Sequence, residues 1–389
     1  MSFELSRRLR RLPPYLFAEI DRAKRRLRAE GKNLIDLGVG DPDRPTPAHI
    51  IEALYRAAQD PDNHTYALDF GMTELREAIA GWYRDRFGVE LDPDTEVLPL
   101  LGTKEGIAHI PLAFVNPGDR VLVPDPGYPV YASGTIFAGG EPVRMPLKAE
   151  NGFLADLEAI DPETASRSRL LFLNYPNNPT AAVCDLAYLE KAAAFSKKHG
   201  IILCHDAAYT ELAFDGFRPP SFLQAEGARE VGIEFHSLSK TYNMTGWRVG
   251  FAVGNAEVIQ GLSKVKSNID SGIFQAVQKA GVAALTGPQD FRDELLETYR
   301  RRRDTLVDGL NDLGWKVARP RATFYVWCPV PDGSPSADFA KRLLEEAGVV
   351  ATPGVGLGPS GEGYVRMALT RPEEEIRQAL ERLGRLKVS

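Results

Sequence analysis

Between residues 97 and 253, short apolar runs keep returning, and polar groups stand just beyond their ends. The runs are 97–101, 121–123, 170–173, 201–204, 231–235 and 251–253. Helix-patterned stretches separate several of them, as at 102–115 and 186–198. A run this apolar has no solvent face, so it needs cover on both sides. That predicts an α/β fold with a mostly parallel sheet and helices on both faces. In such sheets ligand groups gather beyond the carboxyl ends of the strands. Asn178, Asp206, Tyr209, Ser237 and Lys240 all fall there.

The flanking segments complete the expected organisation. At 389 residues the chain exceeds what one core usually supports. We expect an N-terminal arm that belongs in part to a small domain at 1–45, a large domain at 46–290 and a small α+β domain at 291–389. The last would hold a long charged helix at 290–313, strands at 323–327 and 364–369, and helices at 337–347 and 372–386. The arginine run at 300–303 reads as a solvated helix face. The basic N-terminus carries Glu4, Glu19 and Asp21, which argues against a transit leader and for an amphipathic helix.

A net charge of −6 argues against a general nucleic-acid binder. No apolar run is long enough for a membrane span. Cys184, Cys204 and Cys328 lack zinc-ligand or disulfide spacing, which fits a reducing, cytoplasmic setting and no metal site.

The chemistry centres on Ser237-Leu-Ser-Lys240, with Arg248 eight positions after the lysine. A lysine amine forms a Schiff base with an aldehyde, while Ser237, Ser239 and Arg248 suit a phosphate dianion. Gly102-Thr103-Lys104 opens a helix whose free N–H groups and dipole favour the same anion. A pyridine aldehyde bearing a phosphate matches this set. Asp206 would keep its ring nitrogen protonated, Tyr209 and Asn178 would flank its ring hydroxyl, and Tyr128 would stack on it from a proline-stiffened loop. Arg366, inside an otherwise apolar strand, has the planar fork to clamp a substrate α-carboxylate. Once displaced by a substrate amine, Lys240 is the natural base for a Cα proton. Taken singly, each group also has an ordinary structural reading: a solvated lysine, a packed turn tyrosine, an arginine paired with an acid.

Together the motifs Asn-Asn-Pro-Thr, Asp-x-x-Tyr, Ser-x-Ser-Lys-x-x-x-Met-x-Gly-x-Arg-x-Gly and the late Tyr-Val-Arg resemble the fold-type I, class I/II aminotransferases, in order and over nearly the whole chain. The resemblance implies a large domain with a seven-stranded, mostly parallel sheet, pyridoxal 5′-phosphate, amino-acid and 2-oxo-acid substrates, and a homodimer with shared active sites. It adds Tyr66 as a phosphate ligand donated across the dimer and Gly40 as a backbone contact of the substrate carboxylate. Ala181-Ala182 stands where a glycine is commoner.

The stretch Pro14-Tyr15-Leu-Phe-Ala-Glu-Ile20 is similar to one in the LL-diaminopimelate aminotransferases. That resemblance implies Tyr15 near the substrate, Asp69 reading a distal ammonium, and transfer of an amino group from LL-diaminopimelate to 2-oxoglutarate, in lysine biosynthesis. Asp69 replaces the glutamate usual in plant-like members, and Gly272 falls where they carry an asparagine. An aspartate, alanine or broad-specificity aminotransferase is the alternative. A β-lyase, or a regulator built on the same fold, ranks behind it.

Overall fold

The computed structural model describes residues 3–12, 17–67 and 70–386. Helix α1 (Phe17–Ala29) precedes the two-residue strand β1 (Ile35–Asp36). Helix α2 (Thr73–Phe87) leads into the central sheet. The sheet contains β2 (Val97–Leu100), β3 (Arg120–Asp125), β4 (Glu141–Pro146), β5 (Ser168–Asn174), β6 (Ile202–Asp206), β7 (Gly232–Ser237) and β8 (Gly250–Gly254). Helix α3 (Thr103–Phe114) follows β2, and the single turn α4 (Leu238–Thr241) follows β7.

The seven strands lie in the order β2-β8-β7-β6-β5-β3-β4. Only β8 runs against its neighbours; the remaining pairs are parallel. Successive residues point to opposite faces, and both faces are buried. Leu171 and Leu173 of β5 join one apolar cluster with Leu203, Phe251 and Val253. Leu170 and Phe172 join the other with Cys204, Phe235 and Ala252. This is why the strands read as unbroken apolar runs rather than alternating ones.

Helix α5 (Asp290–Asp312), β9 (Tyr325–Pro329), α6 (Ser336–Ala347), β10 (Val349–Val350), β11 (Thr352–Pro353), β12 (Tyr364–Ala368) and α7 (Glu373–Leu383) follow. Their apolar residues form a separate cluster that also takes in Ile35 and Leu37. Strand β1 pairs with β10 in parallel, and Leu27 of α1 packs on Leu344 and Val350. The N-terminal segment is thereby fixed to the C-terminal one, beside the carboxyl ends of the central strands.

The arginine run departs from expectation. Arg302 and Arg303 are buried, because four consecutive helical positions exceed one turn and cannot share a solvent face. Arg302 holds both oxygens of Asp43 at 2.8 Å and the Leu369 carbonyl at 3.0 Å. Arg303 pairs with Asp215 at 2.6 Å. Among the described residues, no helix is long and apolar enough to cross a membrane and no cluster is arranged to hold a metal.

Candidate active site

Asn174, Asp206 and Ser237 are the last residues of three adjacent strands, so the parallel register brings them to one rim. A cavity of about 600 Å³ opens there. Its wall includes Gly40, Thr103, Lys104, Tyr128, Asn178, Asp206, Tyr209, Ser237, Ser239, Lys240, Arg248 and Arg366. Twelve of the residues singled out in the sequence are thus brought together. Tyr66 is not on this wall and is 87% exposed. Tyr15 and Asp69 lie outside the described residues.

Lys240 sits in α4, the turn that β7 feeds directly, with Ser237 capping it by accepting from Ser239 N–H at 3.2 Å. Its Nζ lies 3.3 Å from the Gly40 carbonyl and 5.5 Å from the centre of the Phe324 ring. Burial lowers the amine from 10.5 to about 8, with Arg248 and Arg366 acting the same way and Asp41 opposing them. An amine so placed is more readily neutral, and a neutral amine is the nucleophile. The same shift costs stability. In the cofactor-free protein, Lys240→Met is expected to add up to about 3 kcal/mol below pH 8, where both folded and unfolded lysine would be charged. The gain fades as the pH rises from about 8 to 10.5, over which only the unfolded chain holds the proton. Paired denaturant titrations across that range measure it.

Asp206 is buried, and its Oδ2 accepts from Tyr131 Oη at 2.8 Å. Burial raises its carboxyl above the usual range, against the Tyr131 hydroxyl, the Ala208 N–H and the nearby His205 and His236. A cation beside it would favour the carboxylate again. Asn174 braces this rim: its Nδ2 donates to the Asp206 carbonyl at 2.7 Å, and its Oδ1 accepts from Asn178 N–H at 2.8 Å. Tyr128 meets Tyr131 edge-on at 5.8 Å. Burial and the neighbouring Tyr325 push the Tyr209 hydroxyl well up, so it remains a phenol; the two hydroxyl oxygens are 3.3 Å apart.

At the other end, α3 begins at Thr103 with Gly102 before it and no side-chain cap. Arg248 adopts φ +58°, uncommon for a residue with a Cβ. It is held by the Thr245 carbonyl at 2.8 Å and the Leu101 carbonyl at 3.3 Å. A Cβ on Gly102 would stand 2.3 Å from Arg248 Nη2, so glycine lets the guanidinium approach the helix start.

Arg366 projects from β12 and is 5% exposed. Its Nη1 donates to Asn178 Oδ1 at 2.7 Å and its Nη2 to the Gly38 carbonyl at 2.9 Å. Its guanidinium carbon stands 4.2 Å over the Tyr325 ring. Its buried Nε has no partner, and among the described residues no carboxylate pairs with it. A buried guanidinium in this condition suits a carboxylate ligand.

Gly40 completes the wall. A Cβ there would lie 2.1 Å from Tyr325 Oη. We expect Gly40→Ala to displace Tyr325 at a cost of about 2 kcal/mol and to lower kcat/KM; steady-state kinetics beside a thermal melt check both.

Pyridoxal 5′-phosphate fits these residues. An uncapped helix start with Arg248 and two serines suits a phosphate, buried Asp206 suits a basic ring nitrogen, and the Lys240 amine suits an aldehyde. Sequence reasoning missed Tyr131, Asn174, Tyr325, Lys24 and Asp36. Asn174 alone carried the available signal, a polar residue ending an apolar run.

The model for "Aminotransferase class I and II" matches residues 32–383. An LL-diaminopimelate aminotransferase from Desulforudis audaxviator is 59% identical, covering 98% of this chain and 98% of its own. Among solved structures, substrate-bound BacF from Bacillus subtilis superposes with a TM-score of 0.94 at 42% identity, over 99% of this chain and 98% of that one. A double mutant of the Thermus thermophilus aspartate aminotransferase gives 0.92 at 34% identity, over 99% and 100%. On its sequence, its fold and these matches, the chain belongs to the class I and II aminotransferase family.

Proposed function

We propose that this chain is an LL-diaminopimelate aminotransferase, moving an amino group from LL-diaminopimelate to 2-oxoglutarate and yielding tetrahydrodipicolinate and glutamate. The observation that carries the amino-acid reading is buried Arg366, with no carboxylate paired to it among the described residues, on the same cavity wall as the Lys240 amine. The substrate follows from full-length relatives of that name at 59% and 58% identity.

Pyridoxal 5′-phosphate, when bound, supplies an electron-withdrawing ring that acidifies the substrate Cα–H. The protein does the rest. Arg248, Ser237, Ser239 and the start of α3, with Lys104, hold the phosphate. Asp206, fixed by Tyr131, keeps a proton on the ring nitrogen. Tyr209 and Asn178 bond the ring hydroxyl, and Tyr128 covers the ring face. Arg366 takes the α-carboxylate with the backbone at Gly40. Lys240, released by the incoming amine, would take the Cα proton and deliver it to the carbon that was the cofactor's aldehyde, on the far side of the nitrogen.

The protein would act as a cytoplasmic homodimer, with Tyr66 reaching the partner's phosphate site. Exposed Tyr66, Phe70, Ile269 and Phe274 support a covered surface there, as does the Gln275 Nε2 contact with Thr65 Oγ1 at 3.1 Å, which ties the Tyr66 loop to that region. Tyr15 and Asp69 would read the far end of the substrate. The test is product identification: holoenzyme given LL-diaminopimelate and 2-oxoglutarate should form glutamate in step with tetrahydrodipicolinate. Glutamate formed from aspartate or alanine but not from LL-diaminopimelate would overturn the reading.

A further inference from the structure

Asp21, Lys24 and Asp36 are among the charged groups at the cavity that have no role in the scheme above. Lys24 is 8% exposed, and its Nζ lies 2.6 Å from Asp36 Oδ2 and 3.3 Å from Asp21 Oδ1. Asp36 is itself buried at the end of β1. Its Oδ1 accepts from Gly38 N–H at 3.0 Å. The Gly38 carbonyl in turn accepts from Arg366 Nη2 at 2.9 Å and from Thr352 Oγ1 at 3.0 Å. One residue, Gly38, therefore separates a buried carboxylate from the buried guanidinium that pairs with none among the described residues.

Opposite charges on two buried groups that bond to the same residue attract each other in a medium of low dielectric constant. An arginine fork drawn onto Asp36 would have no edge left for a substrate carboxylate. Lys24 removes that competition, since it engages the Asp36 oxygen that Gly38 leaves free. It reaches there from α1, whose Leu27 is seated on Leu344 and Val350.

We propose that Lys24 is a positioning residue that neutralises Asp36, leaving Arg366 free for the substrate's α-carboxylate. The proposal rests on the reading of Arg366 as the carboxylate clamp. It couples the seating of α1 to carboxylate binding through Lys24, Asp36, Gly38 and Arg366, a contiguous set of bonded groups.

The test uses holoenzyme and glutarate, an unreactive dicarboxylate, with the Kd read by calorimetry and the cofactor followed by its absorbance. Lys24→Met should weaken glutarate about tenfold and raise KM for the amino donor, while kcat and the cofactor spectrum hold, the pattern of lost ground-state binding. Adding Asp36→Asn to Lys24→Met removes the competing charge, so binding should return to near the wild-type value. A lysine that merely anchors α1 predicts no such rescue, and a double variant as weak as the single one would overturn the proposal. So would a Lys24→Met enzyme that binds glutarate normally. Asp36→Asn alone keeps an oxygen for the Gly38 N–H and provides a readout if Lys24→Met does not fold. It should bind glutarate at least as tightly as wild type, and weaker binding would count against the proposal. Arg366→Lys is run beside them. If it leaves glutarate binding unchanged, the clamp reading fails first and takes this inference with it; if it weakens binding, any failure belongs to Lys24 alone.

Discussion

Lys240→Ala is expected to lower turnover by about ten-thousand-fold and to end covalent capture of the cofactor. No other cavity lysine can substitute on geometry alone. Lys24 is committed to Asp36 and Asp21, and Lys104 is the second residue of α3, where the phosphate would sit. Lys240 is the amine brought down to about 8 by burial and by neighbouring arginines. Lys240→Arg should not rescue, because a guanidinium neither condenses with an aldehyde nor loses its proton near neutral pH. Borohydride reduction followed by peptide mass analysis gives a readout independent of turnover. The wild type should carry the cofactor on the peptide containing Lys240, and the alanine variant should carry none. A label on Lys104, or turnover within tenfold of wild type, would contradict the assignment.

Arg366→Met is expected to cost about 3 kcal/mol of substrate binding, on the order of a hundredfold in kcat/KM. The loss should appear mainly as raised KM, for the amino acid and the oxo acid alike, since both carry the carboxylate that the fork would hold. Stability should move the other way. Replacing a buried charge that pairs with no carboxylate among the described residues with an apolar side chain of similar length removes a desolvation cost, so Tm should hold or rise. The broken bonds to Asn178 and Gly38 set a limit on that gain. Arg366→Lys keeps the charge without the planar fork and should recover only part of the binding. A methionine variant that melts much earlier while KM is unchanged would make Arg366 a structural residue.

Much of this architecture was legible in the sequence for a physical reason. Doubly covered strands must be apolar throughout, so 170–173 and 201–204 stand out, and the polar residues after them had to be at the strand ends. Asp206 and Lys240 were singled out that way. Residues that act across the sheet or between segments left no such mark. Tyr131 looks like an apolar helix residue until its hydroxyl is seen on Asp206. Tyr325 reads as a core aromatic of β9, yet its hydroxyl lies beside that of Tyr209 and its ring supports Arg366. Lys24 was one more cation in a basic helix; only the pairing of β1 with β10 brings its partner Asp36 to the cavity. Arg302 and Arg303 misled in the opposite direction, because a run of like charges suggests solvent, whereas these two are buried and pair with Asp43 and Asp215. The two residues proposed to read the far end of the substrate, Tyr15 and Asp69, are remote in sequence from both Lys240 and Arg366.

The most direct measurement is kcat/KM with 2-oxoglutarate as acceptor and LL-diaminopimelate, meso-diaminopimelate, aspartate, alanine and phenylalanine as donors. LL-diaminopimelate should lead the monoamino donors by about a hundredfold or more, a margin within reach when buried polar groups must be matched by the substrate. A flat profile, or one led by aspartate or alanine, would contradict the proposed substrate while leaving the aminotransferase family in place.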